Sequence, residues 1–475
     1  MDTITAFFNA INGLTWGWGL IPLLIIFGVF FTLMTGFSQL RFFGRMFAVL
    51  SGKEDIADPS AISARQALFV SIGGRVGGGN IAGVAVAITL GGPGAVFWMW
   101  FIALLGMATS IVECSLAQLY KRSDPQGGFR GGPAQYIIHG LGDRFKWLAV
   151  LYAICLIAAF ALGFPAFQGN TMAGAVEEST GINRIVSGIA LSGVTGLIIF
   201  GGMQRIAKVS DIVVPVMALL YIATALIIIV MNIGDVPDVF GQILRSAFGL
   251  EEAVAGGMGA AIAQGMRRGL FSNEAGLGSA PNVAAAAYVR HPLSQGITQS
   301  FSVFIDTIII CSCTAFVILL GDVYVPGAAE IDGVVLTQRS MVGHLGSWAA
   351  YVLTIAILLF AFSSIIYSYY LGENALAVIT KIPGARLVLQ IAVMGVVLLG
   401  AVAPSATSVF FFSDPLMGIL AVVNLMAICM LFPTALRLID DYRSQVRAGK
   451  KVPELDIGKY SDLNIDPEVW GNKAK

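Results

Sequence analysis

Long apolar runs recur along the chain and are separated by short polar stretches that carry most of the charge. A bilayer core needs roughly 20 apolar residues for one helical crossing, and the runs reach that length repeatedly. The pattern therefore predicts eleven membrane-spanning helices. The apolar runs lie at residues 14–38, 64–90, 94–119, 146–172, 184–203, 209–232, 253–287, 293–320, 346–374, 386–403 and 411–434.

The composition supports a membrane protein built from helices. The chain is 57% hydrophobic and only 12% charged, which is too apolar for an ordinary soluble protein of 475 residues. An outer-membrane barrel would show alternating apolar and polar positions in segments of about 10 residues. These runs are instead continuously apolar and rich in glycine and alanine. The predicted fold class is an all-α polytopic membrane protein.

The basic residues predict the orientation of the chain. If the loop after the first run is cytoplasmic, Arg184, Arg245 and Arg339 are the only basic residues in loops on the opposite side. Such a bias is what positive-inside selection produces. The amino terminus is predicted outside and the carboxyl terminus in the cytoplasm of a bacterium, with the protein in the inner membrane.

Other classes of protein find little support. The 28 basic and 28 acidic residues form no basic domain that would bind nucleic acid. The five cysteines are scattered in apolar runs, so neither a disulfide framework nor a metal cluster is predicted. The three histidines have no ligand spacing, and no nucleophile elbow, zinc motif or phosphate loop occurs. We therefore expect neither an enzyme nor an organic cofactor.

The second run contains five glycines between Gly73 and Gly79, followed by Asn80. Each glycine in a helix interior costs roughly 1 kcal/mol relative to alanine, and the cluster leaves backbone groups uncovered by side chains. We expect the helix to be interrupted here. The alternative is that the glycines only permit close helix packing, which we favour for isolated glycines such as Gly83, Gly106 and Gly163.

The seventh run repeats this feature between Arg268 and Ser279, where polar residues crowd a stretch that should cross hydrocarbon. It is also predicted to unwind midway. Ionisable residues at membrane depth are expensive and usually mark pathways, pairing partners or helix breaks. Those of this chain are Arg75, Glu113, Arg267, Arg268, Glu274 and Asp306.

The two interrupted runs lie five apart, which predicts an inverted repeat of five plus five helices after one extra amino-terminal helix. Discontinuous helices that meet near the midplane form sites in many secondary transporters, where freed carbonyls coordinate Na⁺ and helix amino termini face a carboxylate. The predicted units are 1–63 (extra helix and cytoplasmic loop), 64–232 (first repeat), 233–434 (second repeat) and 435–475 (a solvated cytoplasmic tail that starts with a short helix).

Three stretches resemble the alanine or glycine:cation symporter family, which has the leucine-transporter-type fold. They are Gly77–Trp100, Gly269–Pro281 and Phe304–Thr307. The resemblance implies uptake of a small neutral amino acid, driven by Na⁺ or, less commonly, by protons. Alternating access would need no covalent step.

The resemblance also implies a set of substrate-binding residues. Backbone amides of the glycine cluster would donate to the carboxylate, and unwound carbonyls near Phe271 would accept from the ammonium. Gln168 would bond the substrate, or alternatively make a helix–helix hydrogen bond. The candidates are Gly77, Gly78, Gly79, Asn80, Gln168, Phe271, Ser272, Asn273 and Ser368.

For sodium, the fold implies carbonyls of the first broken helix together with a pair of hydroxyls on the ninth run. The candidate ligands are Gly73, Val76, Asn80, Ser363 and Ser364. A second ion would use Asn80 with Ser272 or Asn273. Without the family, we would expect the serines to bond their own helix.

Three charged residues at the breaks are candidates for a gate. Arg75, Arg268 and Glu274 could form a buried network that closes one side of the site. The roles of Glu113 and Asp306 stay open.

The chain departs from the family at two places in the pocket wall. Gly78 stands where the family usually has threonine, and Tyr367-Ser368 stands where it usually has glycine and tryptophan. Loss of these side chains would enlarge the pocket unless Tyr367 turns inward. We therefore expect a neutral amino acid larger than alanine, such as glutamine or serine.

Two rival functions remain from the sequence, an ion channel and a proton-coupled amino-acid transporter. A channel filter usually repeats by oligomeric symmetry, whereas two different broken helices in one chain imply a private site. The predicted partners are a neutral amino acid, Na⁺ and membrane lipid, with no nucleic acid. Stereoisomer, stoichiometry and oligomeric state are not predicted.

Overall fold

A computed structural model gives the structure of residues 13, 19–52, 62–124, 127–250, 257–326, 333–382, 384–403 and 406–471. The described chain is almost entirely helical, and its one sheet is a short hairpin that pairs Arg122 with Arg130 and Ser123 with Phe129. The amino terminus, the first residues of the first apolar run and part of the unit predicted at 1–63 lie outside the described residues.

The helices follow the apolar runs. The first half contains α1 Ile21–Met34, α2 Ser38–Arg41, α3 Phe43–Leu50, α4 Ala64–Arg75, α5 Val84–Gly91, α6 Gly94–Leu119, strands β1 Arg122–Ser123 and β2 Phe129–Arg130, α7 Pro133–Tyr136, α8 Lys146–Leu156, α9 Phe164–Thr180, α10 Arg184–Ile199, α11 Gly202–Met231 and α12 Val236–Ala247.

The second half contains α13 Gly257–Asn273, α14 Ser279–Ala286, α15 Pro292–Val303, α16 Ser312–Leu319, α17 Gly333–Leu345, α18 Trp348–Ile379, α19 Ala385–Val402, α20 Ala406–Met430, α21 Phe432–Arg447 and α22 Pro467–Trp470. Four π-helical turns lie within or beside these helices, at Gly79–Gly83, Ile137–Leu141, Ile157–Gly163 and Phe304–Cys311. Two 3₁₀ turns lie at Asp143–Phe145 and Ile457–Tyr460.

Each of the eleven predicted runs contains helix, but not every one is a continuous span. Among the described residues, six stretches are long and apolar enough to cross a membrane alone, and a seventh is added if a pair bent by 63° counts as one. The other runs are the two broken helices, α1 and the short helix α10. The six stretches are Gly94–Leu119, Asp143–Thr180, Gly202–Met231, Pro292–Leu319, Trp348–Ile379 and Ala385–Val402.

Both predicted interruptions are present, and they are narrower than expected. The first separates α4 from the π turn that begins at Gly79. The second separates α13 from α14 and starts only after Asn273, whereas the sequence suggested unwinding from Arg268. Helix α6 is buried along most of its length and packs against α13, α14 and α15, so it forms the support on which the second broken helix rests.

Several short helices between the runs were not predicted, and α12 and α17 are the longest of them. Helices α12 and α17 are 12 and 13 residues long, too short to span a bilayer, and α12 is amphipathic. Helix α17 lies beside the first broken helix, where Thr337 Oγ1 donates to the Ile81 carbonyl at 3.2 Å.

The tail begins with the predicted short helix, here α21, but it is not solvated throughout. Tyr460, Val469 and Trp470 are buried against the membrane domain. The reason is that apolar residues recur through the otherwise polar tail and pack on the ends of the membrane helices. We call the end of the molecule that carries the tail, Lys121, Arg130 and Arg290 the basic end.

Candidate functional site

The first break exposes two backbone amides that polar side chains contact. Val76 is extended, with φ −74° and ψ 100°, so the helix of α4 cannot continue. The Gly77 amide donates to Asn80 Oδ1 at 2.9 Å, and the Gly78 amide donates to Gln168 Oε1 at 3.1 Å. The structure thus brings the two predicted side chains, Asn80 and Gln168, onto the predicted glycine cluster.

The carbonyls freed by the same break meet the predicted pair of serines. Ser363 Oγ donates to the Gly73 carbonyl at 2.8 Å, and Ser364 Oγ donates to the Gly74 carbonyl at 2.9 Å. Gln168 Nε2 donates to Ser364 Oγ at 3.1 Å and so connects the amides to the hydroxyls. The sequence predicted the carbonyls of Gly73 and Val76 near the two serines. In the structure the second carbonyl is that of Gly74.

The second break has a different backbone. Glu274, Gly276 and Gly278 have φ of 54°, 87° and 81°, the left-handed region that a non-glycine residue such as Glu274 rarely adopts. The Glu274 amide still bonds the Leu270 carbonyl at 2.8 Å. Phe271, around which the sequence predicted unwound carbonyls, lies in the last turn of α13, just before the break.

Asp306 joins both broken helices to the helix that contains it. Its Oδ1 accepts from Asn80 Nδ2 at 2.6 Å, and its Oδ2 accepts from Ser272 Oγ at 2.7 Å and Thr307 Oγ1 at 2.8 Å. Asn80 Nδ2 also lies 2.9 Å from Ser272 Oγ. The sequence marked Asp306 as an ionisable residue at membrane depth but assigned it no role, because its partners come from two distant segments.

Asn273, predicted beside Ser272, is not part of this cluster. Its Oδ1 accepts from the Ala275 amide at 3.0 Å, so the side chain turns back onto its own break. Of the two alternatives for a second ion, the structure thus places Ser272, and not Asn273, next to Asn80.

Glu113 anchors the second break. This buried carboxyl group of α6 accepts from the Gly276 amide at 3.2 Å and from Asn424 Nδ2 at 2.8 Å. Asn424 also donates to the Gly276 carbonyl at 2.9 Å and accepts from the Tyr136 hydroxyl. The unwound residues are thus held by side chains of the surrounding helices.

The predicted gate is divided in two. Arg75 donates to the Gln299 carbonyl at 3.3 Å and to Ser302, and its charge acts on the carboxyl group of Glu274. Arg268 lies beside Gly83, beyond the first break, whereas Arg75 precedes that break. The two arginines thus lie on opposite sides of the first break, and their joint role as a gate stays a prediction.

Tyr367, which the sequence did not include in the gate, contacts Glu274 at the second break. Its hydroxyl donates to Glu274 Oε2 at 2.9 Å, and Ser279 Oγ donates to the same oxygen at 2.5 Å. The Tyr367 ring lies directly on Gly74. Tyr367 therefore turns inward, toward the break, and the sequence alternative in which it refills the pocket wall is the one observed.

Aromatic rings form the apolar side of the site. Phe271 stacks on Phe164 with centroids 4.9 Å apart and meets Phe167 edge-on at 6.0 Å. A Cβ at Gly78 would lie 2.9 Å from Phe167 Cε1, and one at Gly79 would lie 3.2 Å from Phe271 Cδ1. The absence of a side chain at Gly78 therefore does not enlarge the pocket, because the ring of Phe167 occupies that space.

Ser368 is buried one turn beyond Ser364 on α18. Within the described part of the chain, its hydroxyl has no hydrogen-bond partner. A buried hydroxyl in this condition usually meets a water or a ligand. The Ser368 hydroxyl forms no hydrogen bond with the other site residues that the structure describes, and its substrate-binding role stays a prediction.

Comparison with known proteins agrees with this geometry. A model of the sodium:alanine symporter family matches residues 1–457. The chain belongs to this family. The symporter is 45% identical over 440 residues to the probable sodium/glutamine symporter GlnT of Bacillus subtilis. The match covers 92% of this chain and 91% of that protein. It is 38% identical over 428 residues to the sodium/alanine symporter AgcS of Methanococcus maripaludis, with 89% and 94% covered.

A solved structure shows the same fold. The symporter superposes on MhsT in complex with L-phenylalanine with a TM-score of 0.52 and 14% identity, over 82% of this chain and 99% of that one. This confirms the predicted leucine-transporter-type fold. The family confirms that the protein is a Na⁺-coupled amino-acid symporter in a membrane and not an enzyme.

Proposed function

We propose that this symporter imports a neutral amino acid together with Na⁺ through a site between the two breaks. The observation that carries the proposal is the convergence of freed carbonyls, paired hydroxyls and freed amides around Gly73–Asn80. Donors for a carboxylate and oxygen ligands for a cation lie within one buried cluster. A zwitterion and Na⁺ need these two sets of partners.

The first sodium site would use the carbonyls of Gly73 and Gly74 with the hydroxyls of Ser363 and Ser364. Each hydroxyl already lies 2.8 to 2.9 Å from its carbonyl, so rotation of two O–H bonds would turn four oxygens toward an ion. Val76 stays a candidate for a further carbonyl ligand. These ligands are neutral, which suits an ion that must leave again during each cycle.

The second site would use Ser272, Thr307 and Asp306, with the amide oxygen of Asn80. The carboxylate supplies a negative charge that a buried cation would balance. In the present arrangement the Asn80 amide nitrogen, not its oxygen, faces Asp306. Binding an ion here would require this side chain to turn over, which would also release the Gly77 amide.

The substrate carboxylate would bind the amides of Gly77, Gly78 and Gly79, and the ammonium would bind the carbonyl of Phe271. Gln168 now occupies the Gly78 amide and would exchange that contact for one with the substrate. The substrate side chain would point toward Phe167 and Phe271. Arg75 and Glu274 with Tyr367 would close the site toward the basic end.

The substrate is proposed to be polar and larger than alanine, with glutamine as the leading candidate. The support is the buried Ser368 hydroxyl, which could bond a side-chain amide, and the similarity to a probable glutamine symporter. Neither of the two departures adds room, because Phe167 lies against Gly78 and the Tyr367 ring turns inward onto Gly74. The proposal of a larger substrate therefore depends on the Ser368 hydroxyl and on the relative, and not on a wider pocket.

The basic end is proposed to face the cytoplasm of a bacterial inner membrane, with the amino terminus outside. The support is the concentration of arginine and lysine at this end. Two fusions at the carboxyl terminus would test this orientation, one with a fluorescent protein and one with alkaline phosphatase. A cytoplasmic terminus should give a fluorescent first fusion and an inactive phosphatase in the second.

Uptake into proteoliposomes under imposed gradients tests the coupling ion. We expect saturable uptake that follows an inward Na⁺ gradient and is indifferent to a proton gradient at constant Na⁺. Ser363→Ala should raise the half-saturating Na⁺ concentration, with Ser347→Ala, outside the site, as a matched control. Uptake driven by protons alone would contradict the proposal.

Competition against labelled substrate tests the size of the pocket. A panel of alanine, serine, glutamine and leucine should rank glutamine above alanine in the parent protein. Ser368→Ala should weaken glutamine more than alanine. If only glycine and alanine compete, the substrate is small and the proposal about Ser368 is wrong.

A further inference from the structure

Residues 450–471, which we call the strap, run along the basic end after α21. The Leu455 amide donates to the Arg290 carbonyl at 3.0 Å, and Arg290 pairs with Glu454 at 2.6 Å. Trp470 Nε1 donates to the Leu119 carbonyl at 3.2 Å, where α6 ends. The strap therefore crosses from the start of α15 to the end of α6.

The far end of the strap completes a cage around Lys121, which is fully buried. The Lys121 ammonium donates to the Ala287 carbonyl at 2.7 Å and lies 4.1 Å from the ring centroid of Phe129 and 4.9 Å from that of Trp470. A buried ammonium is costly without partners. Two ring faces and a carbonyl at the end of α14 offset that cost, since a helix carboxyl end carries partial negative charge.

The carbonyl that Lys121 holds belongs to the residue where both broken helices meet. Ala287 forms a bridge with Ile62, just before α4, and the Tyr288 amide donates to the Ile62 carbonyl at 2.9 Å. Gln118 also donates to the Ala287 carbonyl, at 3.0 Å. One small cluster thus ties the basic ends of both broken helices to α6.

This cluster also borders a cavity. A space of about 260 Å³ at the basic end is lined by Ile62, Phe129, Ala286 and Tyr288, among others. Phe129 therefore contacts Lys121 in the cage and also forms part of the cavity wall. Opening of the site toward this cavity would have to move the Ile62–Ala287 bridge, and with it the carbonyl that Lys121 holds.

We propose that the strap is a brake on opening at the basic end, and that it acts through Trp470 and Lys121. Alternating access requires the ends of the broken helices to separate from their neighbours during each cycle. Every contact of the strap that is lost in that step lowers the population of the open state. The strap thus regulates the rate of transport without touching substrate or ion.

The exposed ion pairs of the strap contribute less than the cage. Arg437 pairs with Asp462 at 2.7 Å, and Lys459 pairs with Asp441 at 2.6 Å. Both pairs include an exposed partner, and such pairs are screened by water and salt. The hydrogen bond from His291, together with Lys459, holds the pKa of Asp441 well below its usual range, so this pair persists at neutral pH.

Accessibility of a buried thiol measures the brake directly. Ser279→Cys places a thiol beside Glu274, on the side of the break that leads to the basic end. In inside-out vesicles, we would measure its modification by a membrane-impermeant maleimide, with the parent chain as the background for its own cysteines. Addition of Trp470→Ala should raise the rate about three- to tenfold, as expected for loss of a desolvated cation–π contact.

Three further variants separate the brake from a loss of folding. Trp470→Phe keeps a ring face for Lys121 and should stay near the parent rate, whereas a stop codon in place of Lys450 should match or exceed Trp470→Ala. Arg437→Gln removes the exposed pair with Asp462, the bond to the Lys459 carbonyl and the contact with the Tyr460 ring, but it leaves the cage around Lys121 intact, so it should change the rate much less than Trp470→Ala. In a double-mutant cycle, Trp470→Ala should add much less once Lys121 is replaced by glutamine, because only the bond to the Leu119 carbonyl is then left to lose.

Two outcomes would overturn the proposal. One is an unchanged modification rate in both Trp470→Ala and the truncated chain, with Na⁺-dependent uptake retained as proof of folding. The other is equal acceleration by Arg437→Gln. Because the readout is thiol accessibility, the test does not depend on which amino acid the symporter carries.

Discussion

The two breaks interrupt comparable helices, but glycine serves a different purpose in each. None of the five glycines at Gly73–Gly79 adopts a positive φ. They are needed for space, since a Cβ at Gly77 would lie 2.7 Å from Gln168 Nε2 and one at Gly78 2.9 Å from Phe167 Cε1. At the second break Gly276 and Gly278 have left-handed backbone that other residues adopt only at a cost.

The partners of the freed backbone groups differ as well. At the first break they are Asn80, Gln168, Ser363 and Ser364, which line the proposed site and can exchange these contacts for ligands. At the second break Glu113 and Asn424 hold the chain from the scaffold. From this difference we expect the first break to control the binding of substrate and Na⁺, and the second break to control the stability of the protein.

Glu113→Ala should have the largest effect. It would remove the acceptor of the Gly276 amide and of one N–H group of Asn424, and each buried donor left without a partner costs roughly 1–3 kcal/mol. We expect a large drop in the melting temperature of detergent-solubilised protein and loss of uptake. Glu113→Gln keeps one acceptor oxygen and should lose less. Normal stability in the alanine variant would contradict the scaffold role.

A matched pair of amides tests the comparison directly. Asn424→Ala should lower the melting temperature, with a small change in ion affinity, because its contacts hold Gly276 and Tyr136. Asn80→Ala should raise the half-saturating Na⁺ concentration about tenfold, which corresponds to about 1.4 kcal/mol, with a smaller change in stability. If the two variants exchange these phenotypes, the division between the breaks is wrong.

A matched pair of glycines gives a smaller effect. Gly276→Ala forces a side chain into left-handed backbone, which costs roughly 1–2 kcal/mol, and should reduce thermal stability. Gly78→Ala is compatible with its backbone, φ −54°, but crowds Phe167, so it should raise the substrate KM while stability changes less. Melting curves and uptake kinetics of both variants check this.

The smallest predicted effect is one of pH near the second break. Half-burial of His139, in the π-helical turn Ile137–Leu141, lowers its pKa from 6.5 to about 4. The unfolded chain then binds this proton more readily than the folded one, so stability is full above pH 6.5 and falls as pH decreases toward 4. His139→Gln should flatten the pH dependence of the melting temperature in that window. An unchanged slope would remove His139 as a cause.

Much of the architecture could be predicted because it depends on local pattern. The apolar runs indicated where the helices lie, and glycine clusters with polar neighbours marked where a helix could not stay regular. The family resemblance supplied the serine pair at Ser363 and Ser364. Helices α12 and α17 were missed because short helices between spans carry no membrane-length signal.

The roles of single side chains were harder to predict. Asn424 meets Glu113 from 311 positions away, and Asp306 meets Asn80 across 226 positions. The placement of Arg268 beside Gly83, apart from Arg75, likewise depends on how α13 packs on the first broken helix. Contacts between residues so far apart in the sequence cannot be predicted from the spacing of residues along the chain.

The sequence by itself determined that this chain crosses a membrane many times and that two of its helices must break, because hydrogen bonding and hydrophobic burial within a helix are local. Only the tertiary structure decided which side chains satisfy the backbone groups that the breaks release. Those partners come from other helices, and in a low-dielectric interior every freed group must find one. That choice makes the first break a proposed binding site and the second an anchored turn.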